Sequence, residues 1–377
     1  MRTDKKVHQA NQGTSPEAPV SQGGSRTDKL MKLEAIRGLS AIYVVFHHTI
    51  QFEYYFFGLN LGRLLRFGQE AVILFFLVSG FVIHLSHQST LDKSFKTYFV
   101  KRFARIYVPL LVVFCVGFLL ESYQRGVLVE VPLIDLLGNL LMLQDWPSDK
   151  PGVLVDPLLG NDPLWSLAYE WWFYMLYFPL VSMVSDRQRL SLIVFGVAIA
   201  SSVIYCVWPS FIPRVLMYAG IWWSGVFLAE LYLNHRRFTL KTCFLPLASL
   251  SGICGVLLIN GVFWWQAGGE TFVGKHPIIE LRHTGFALVA LACAILWHRC
   301  KWVGFNVIVG PFAVLAPISY VIYISHYHLM VTATWFSGIG NGVVAWFLYF
   351  VGLLVFSWAV ELRFYPMVRR QLYARFL

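Results

Sequence analysis

Charge is what this sequence has least of: only 13% of its 377 residues are Asp, Glu, Lys or Arg, against about 25% in a typical soluble domain. Hydrophobic residues make up 57%, which leaves too little polar surface to cover a water-soluble globule. Cysteine is also sparse, and the six present, at 115, 206, 243, 254, 293 and 300, never form a C-x-x-C pair. A disulfide framework and a zinc site are therefore not indicated, and no metal centre is expected. Strict apolar/polar alternation is missing too, and the apolar runs are too long for barrel strands. What recurs instead, from residue 35 to residue 362, are apolar stretches of helical membrane-crossing length. Each is sufficient for about 30 Å of hydrocarbon, where only a helix or a closed barrel satisfies its own backbone.

The expected fold class is thus an all-α polytopic membrane protein. Ten spans fall near 35–57, 70–88, 106–120, 164–184, 190–208, 215–233, 243–262, 283–298, 308–334 and 342–362. Most of the 30 Lys and Arg lie in alternate connections, so the positive-inside bias puts both termini in the cytoplasm. A net charge of +10 suits nucleic acid, but the basic residues are scattered between spans rather than gathered on one patch. No nucleic-acid partner is expected, and the bilayer is. Residues 1–29 are polar, without the apolar centre of a signal peptide, and read as a disordered cytoplasmic tail. Residues 30–365 read as the membrane domain and 366–377 as a basic cytoplasmic tail. The longest connection, 121–163, contains QDWPSDKPG and DPLLGNDP and reads as an outer loop with at most a short surface helix.

Ionisable residues inside such spans are informative, since each costs on the order of 2.5–3.5 kcal/mol at membrane depth. Arg37 and His48 are eleven residues apart in IRGLSAIYVVFHHTI, which is roughly three turns plus 20° and about 16 Å along one helix face. Interfacial anchoring accounts for an arginine alone and packing for a histidine alone; the pair points to a hydrated interior. In the second span, Ser79-Gly80 fits close helix approach or a ligand channel lined by backbone. Lys101, Arg102 and Arg105 recur at helical spacing in FKTYFVKRFARIYVP, so that Arg102 and Arg105 project together. Anionic headgroups attract such a cluster, and guanidinium forks also match phosphate oxygens. Glu170 sits about two turns into the fourth span beside Tyr169, Trp171 and Trp172, where a carboxylate needs a partner or a proton. The ninth span carries a polar stripe of Ser319, Tyr320, Tyr323 and His326, with Tyr323 and His326 neighbours at i and i+3. His328, a little further on, reads as a histidine that only satisfies a neighbouring carbonyl.

Five of these segments, in order, carry a family resemblance. LEAIRGLSAIYVVFHH has an R-x10-H spacing that selects His48 over His47, and FFLVSGFVI follows at 75–83. RFARIYVP at 102–109 holds R-x-x-R, WSLAYEWWFY at 165–174 holds S-L-x-x-E, and ISYVIYISH ends at 326. Over residues 30–365 the chain resembles the acyltransferase 3 family of bacterial integral-membrane O-acyltransferases. The resemblance implies a ten-helix bundle in the bacterial cytoplasmic membrane. It would move an acyl group, often acetyl, from cytoplasmic acyl-CoA, such as acetyl-CoA, to a hydroxyl of a carbohydrate or glycan. It points to Arg37, His48, Arg102, Arg105 and Glu170 as functional. In that scheme Arg37, Lys101, Arg102 and Arg105 hold the donor, and His48 is the general base with Glu170 as its partner. Ser79, Tyr323 and His326 then contact substrate or donate to the oxyanion. The competing expectation is a proton-coupled transporter that uses Arg37, His48, Glu170 and His326 as a relay.

Overall fold

The computed structural model describes residues 26–50 and 55–377. The tail assigned to residues 1–29 therefore lies almost wholly outside the described residues. Helix α1 (Arg26–Thr49) is followed by a small hairpin, β1 (Tyr55–Phe56) with β2 (Leu59–Asn60), and then by α2 (Gly68–Ser89) and α3 (Phe95–Arg125). The outer connection holds a short α4 (Leu133–Leu140) and leads into α5 (Trp165–Met183), α6 (Arg187–Val207), α7 (Phe211–Leu233), α8 (Phe244–Gln266) and α9 (Ile278–Arg299). A one-turn α10 (Phe305–Ile308) precedes a broken span, in which a 3-10 stretch (Gly310–Ile318) passes into α11 (Ser319–His326) and then a π stretch (Tyr327–Val331). Helix α12 (Gly342–Trp358) continues through a second π stretch (Ala359–Phe364) into α13 (Tyr365–Phe376).

Among the described residues eight helical segments are long and apolar enough to cross a membrane by themselves. Helices α1 and α5 complete ten long helices, and both carry candidate site residues. The expected spans and the observed helices differ chiefly at their ends. Helix α1 runs 26–49 rather than 35–57, since its basic first turns are helical rather than tail. The basic stretch before the third span forms the opening turns of α3 itself, started by Ser94, whose side chain accepts from the Thr97 backbone N–H. It stops at Gly126, which adopts the left-handed conformation (φ 68°) that glycine takes without a Cβ penalty. The basic segment 366–377 is likewise mostly helix α13, and it packs Val368, Leu372 and Tyr373 around Ala104 and Val108 of α3.

The centre of the bundle is α2, packed against α1, α7 and α9. Its approach to α7 is backbone to backbone: a Cβ on Gly80 would sit 2.0 Å from the Trp222 carbonyl oxygen, and one on Gly225 would sit 2.0 Å from that of Leu77. Gly80 therefore serves close approach, whereas Ser79 turns its hydroxyl to Glu170. Gly80→Ala should push the two helices apart at a cost of about 1–3 kcal/mol and lower the melting midpoint in detergent. Gly255→Ala, where a Cβ meets nothing within 4 Å, should leave that midpoint unchanged or slightly raised.

Candidate active site

Two cavities are stacked along one side of α1. The inner one encloses about 250 Å³ and is lined by Arg37 of α1, by Lys101, Arg102 and Arg105 of α3, and by Ser79, Glu170, Tyr174 and Tyr323. Helical spacing on α3 thus does gather its cations on one face, and α1 adds the fourth. Arg105 is ion-paired with buried Glu361, and its guanidinium lies 5.2 Å from the Tyr320 ring centre. Arg102 lies over Tyr98 and Tyr174, at 5.8 and 6.0 Å, and reaches Ser86 Oγ at 3.4 Å. Its Nε is buried without a partner, so Arg102 still has a donor to offer. Glu170 accepts from Ser79 Oγ at 2.6 Å and from the Tyr174 hydroxyl, while Trp222 Nε1 donates to Ser79 Oγ at 3.2 Å.

The outer cavity encloses about 140 Å³ and is lined by His47, His48, Trp146, Asp149, Lys150, Asp162, Trp165 and Tyr323. Burial, opposed by a hydrogen bond from Tyr327 and reinforced by Asp149, pushes the Asp162 carboxyl up to about 7. The His48 ring lies 5.3 Å from the ring of His326 and 4.9 Å from that of His47. Tyr323 belongs to both cavities, and its hydroxyl lies 2.6 Å from the Pro163 carbonyl oxygen and 2.8 Å from Ser166 Oγ.

The structure therefore keeps the expected residues but divides them. Arg37, Lys101, Arg102, Arg105, Ser79 and Glu170 surround the inner cavity and His48 the outer. Glu170 meets Ser79 and Tyr174 rather than facing His48 across a single chamber. The expected donors to an oxyanion are also committed elsewhere. A carbonyl only accepts, so the Tyr323 proton goes to Pro163 and Ser166 donates to the Tyr323 oxygen. Ser79 gives its proton to Glu170. His326 Nδ1 lies 2.7 Å from the Tyr323 carbonyl oxygen and must donate to it, leaving Nε2 of a neutral ring as an acceptor.

A buried polar cluster at the outer loop escaped the sequence reading. Asp145 is fully buried and meets Lys150 Nζ at 3.0 Å, Arg214 Nη2 at 2.9 Å and the Tyr169 hydroxyl at 2.5 Å. Lys150 Nζ also sits 3.7 Å from the Trp165 ring centre. This network ties the outer loop into the bundle and sets one wall of the His48 cavity. Burial pushes the Asp145 carboxyl up, but the neighbouring ammonium and guanidinium outweigh it and hold the group below the usual carboxylate range. Its stabilising contribution is complete above the unfolded pKa of about 3.9 and is lost as pH falls through the lower folded value. Asp145→Asn should strand two buried cations, cost about 3–5 kcal/mol, and show as a lowered melting midpoint with early proteolysis of the 141–157 segment. The signal was legible only as an Asp and a Lys within QDWPSDKPG; nothing local pointed to Arg214.

The sequence profile of the acyltransferase 3 family, described as an acyltransferase domain, matches residues 32–362. The chain belongs to that family. It is also 32% identical over 172 residues to "Acyltransferase MdmB" of Streptomyces mycarofaciens, a match that covers 43% of this chain and 43% of that protein. The chain thus spans less than half the length of this curated relative. No solved structure matches the chain.

Proposed function

We propose that this chain is an O-acyltransferase of the bacterial cytoplasmic membrane. It would take an acyl group, acetyl in the simplest case, from cytoplasmic acyl-CoA and deliver it to a hydroxyl of a carbohydrate or glycan. The observation that carries this reading is the four-cation cavity of Arg37, Lys101, Arg102 and Arg105, which meets the His48 cavity at Tyr323. Coenzyme A bears several phosphate charges, and guanidinium forks bind phosphate through short charge-assisted hydrogen bonds. The narrow pantetheine arm then extends inward past Ser79, Glu170 and Tyr174. These three form a hydrogen-bonded set that gives the inner end of the cavity a fixed shape. Glu170 in this scheme orders the donor channel.

Tyr323 stands between the thioester and His48, so its hydroxyl must leave Pro163 for the acyl carbon to pass. At the outer cavity, His48 removes the acceptor hydroxyl proton as the oxygen attacks the thioester carbonyl. Collapse of the tetrahedral intermediate breaks the C–S bond, and His48 returns the proton to the coenzyme A thiolate. The products are an ester and free coenzyme A. The testing measurement is mass spectrometry of glycans from host cells that carry or lack the gene. Acyl esters should vanish on deletion and return with the wild-type gene. An unchanged ester content across those strains would refute the assignment.

A further inference from the structure

Gln69 of α2 lines the outer cavity with His48, Trp165 and Tyr323, and its side chain is held from behind. A guanidinium only donates, so the amide atom that meets Arg282 Nη2 is the oxygen. The same oxygen lies 3.2 Å from His283 Nε2, which therefore carries its hydrogen. His283 Nδ1 then accepts from the Tyr218 hydroxyl at 2.7 Å. Arg282 is fixed in turn by buried Glu70 at 2.6 Å and by the Val273 carbonyl oxygen at 3.0 Å. The His283 ring stacks on that of Trp165, 5.8 Å centre to centre and 6° from parallel. Five residues from three helices thus fix which way one glutamine amide points.

With the oxygen used twice, both hydrogens of Nε2 are left over. Nε2 has no hydrogen-bond partner among the described residues, and it is not one of the orphaned polar atoms sealed inside the protein. The amide N–H2 is therefore left for the cavity that Gln69 lines. Other donors on that wall are engaged or shut away. Tyr323 gives its proton to Pro163, Lys150 is ion-paired with Asp145, and the indole N–H of Trp146 is buried. Arg282 also strengthens what Gln69 offers, because a cation against the amide oxygen draws electron density from the nitrogen and makes its hydrogens better donors.

We infer that Gln69 is the catalytic residue that stabilises the oxyanion, through its Nε2 hydrogens, and that Arg282 and His283 are positioning residues that act through it. The inference rests on the acyl-transfer reading with its chemistry in the outer cavity. As the acceptor oxygen bonds to the thioester carbon, the carbonyl π pair moves onto the carbonyl oxygen, and the acceptor proton goes to His48. Gln69 donates to that oxygen while it is negative. The C=O bond then re-forms, the C–S bond breaks, and the thiolate takes the proton back. Gln69 gains and loses no proton. It supplies the donor that Ser79, Tyr323 and His326 cannot, and a fixed dipole aimed at developing charge costs no reorganisation when the charge appears.

Two variants and one donor analogue test this. Gln69→Glu keeps an oxygen for Arg282 and His283 and replaces the N–H2 with a second acceptor; Gln69→Met fills a similar volume and donates nothing. The readout is single-turnover transfer of labelled acetyl from saturating acetyl-CoA into the glycan fraction of host membranes carrying the full chain, with acetyl-CoA binding and melting midpoint measured alongside. Both variants should lose about 10²- to 10³-fold in rate, as expected for one oxyanion donor, with donor binding unchanged and the Gln69→Glu midpoint at or above that of wild type. The dithioacetyl analogue of acetyl-CoA, with C=S in place of C=O, puts a weaker acceptor where the oxyanion forms. Its penalty relative to acetyl-CoA should be larger in wild type than in Gln69→Glu, an effect that neither a structural role nor a grip on the acceptor produces. Wild-type rate in either variant would overturn the inference, as would equal penalties for the analogue in wild type and Gln69→Glu. If His48→Ala transferred at the wild-type rate, the underlying acyl-transfer reading would fail instead; an active Gln69→Glu beside an inactive His48→Ala defeats the inference about Gln69 alone.

Discussion

Alanine at His48 should reduce acyl transfer by about 10²–10⁴-fold, the usual contribution of a positioned general base. Donor affinity should stay where it was, because the cations that would hold coenzyme A line the inner cavity and His48 lines the outer one. The effect should therefore fall on kcat, with acetyl-CoA binding intact. Folding should be little disturbed, since His48 is half-buried beside a cavity rather than packed in the core. The neighbouring His47 gives the control. Its Nδ1 donates to the Leu65 carbonyl oxygen at 2.6 Å and so fastens the end of α1 to the turn at Leu61–Leu65. His47→Ala should lower the melting midpoint by removing that tether and retain most of the rate. If the two variants exchanged these behaviours, the R-x10-H spacing would have selected the wrong histidine. A transporter relay predicts something different again: His48→Ala would lose proton-coupled flux, and acetyl-CoA binding would be absent from the wild type as well.

The bundle was legible because each span must bury its own backbone hydrogen bonds in about twenty apolar residues. Its ends were less legible. Hydropathy penalises charge, yet Lys32 and Arg37 in α1 and Lys101, Arg102 and Arg105 in α3 lie within continuous helix. Arg37 and the α3 cations spend their charge on a cavity. The clustering of Arg102 with Arg105 was legible for a local reason, since helical spacing fixes it whatever the tertiary structure. The same periodicity placed Arg37 and His48 on one face of α1. It carried no information on what stands between them, and the separation into two cavities depends on Tyr323 meeting Pro163 and Ser166 from a distant helix. Asp145 with Arg214 and Arg105 with Glu361 were invisible for the same reason. Their partners are far apart in sequence, and no spacing rule links them.

That last pair separates the two arginines of the R-x-x-R segment by experiment. Arg102→Ala should weaken acetyl-CoA binding about 10- to 100-fold, the equivalent of one to two charge-assisted hydrogen bonds at about 1.5–3 kcal/mol. Its stability should hardly change, because Arg102 makes one long bond to Ser86 and keeps a buried Nε without a partner. Arg105→Ala should weaken donor binding too, and it should also destabilise the fold. It strips the counter-charge from Glu361, which is 3% exposed and already has one oxygen unmatched. Leaving that carboxylate buried and alone costs about 1–3 kcal/mol or more. The double variant Arg105→Ala/Glu361→Gln should restore the melting midpoint without restoring donor affinity, since it removes the stranded charge and not the need for a cation. Binding of acetyl-CoA measured by calorimetry at two ionic strengths checks the electrostatic part. The affinity should fall with added salt in the wild type and fall less steeply in Arg102→Ala, which has one fewer phosphate contact to screen. An Arg102→Ala protein with wild-type affinity and wild-type salt dependence would remove the inner cavity as the donor site, and with it the route by which the thioester reaches His48.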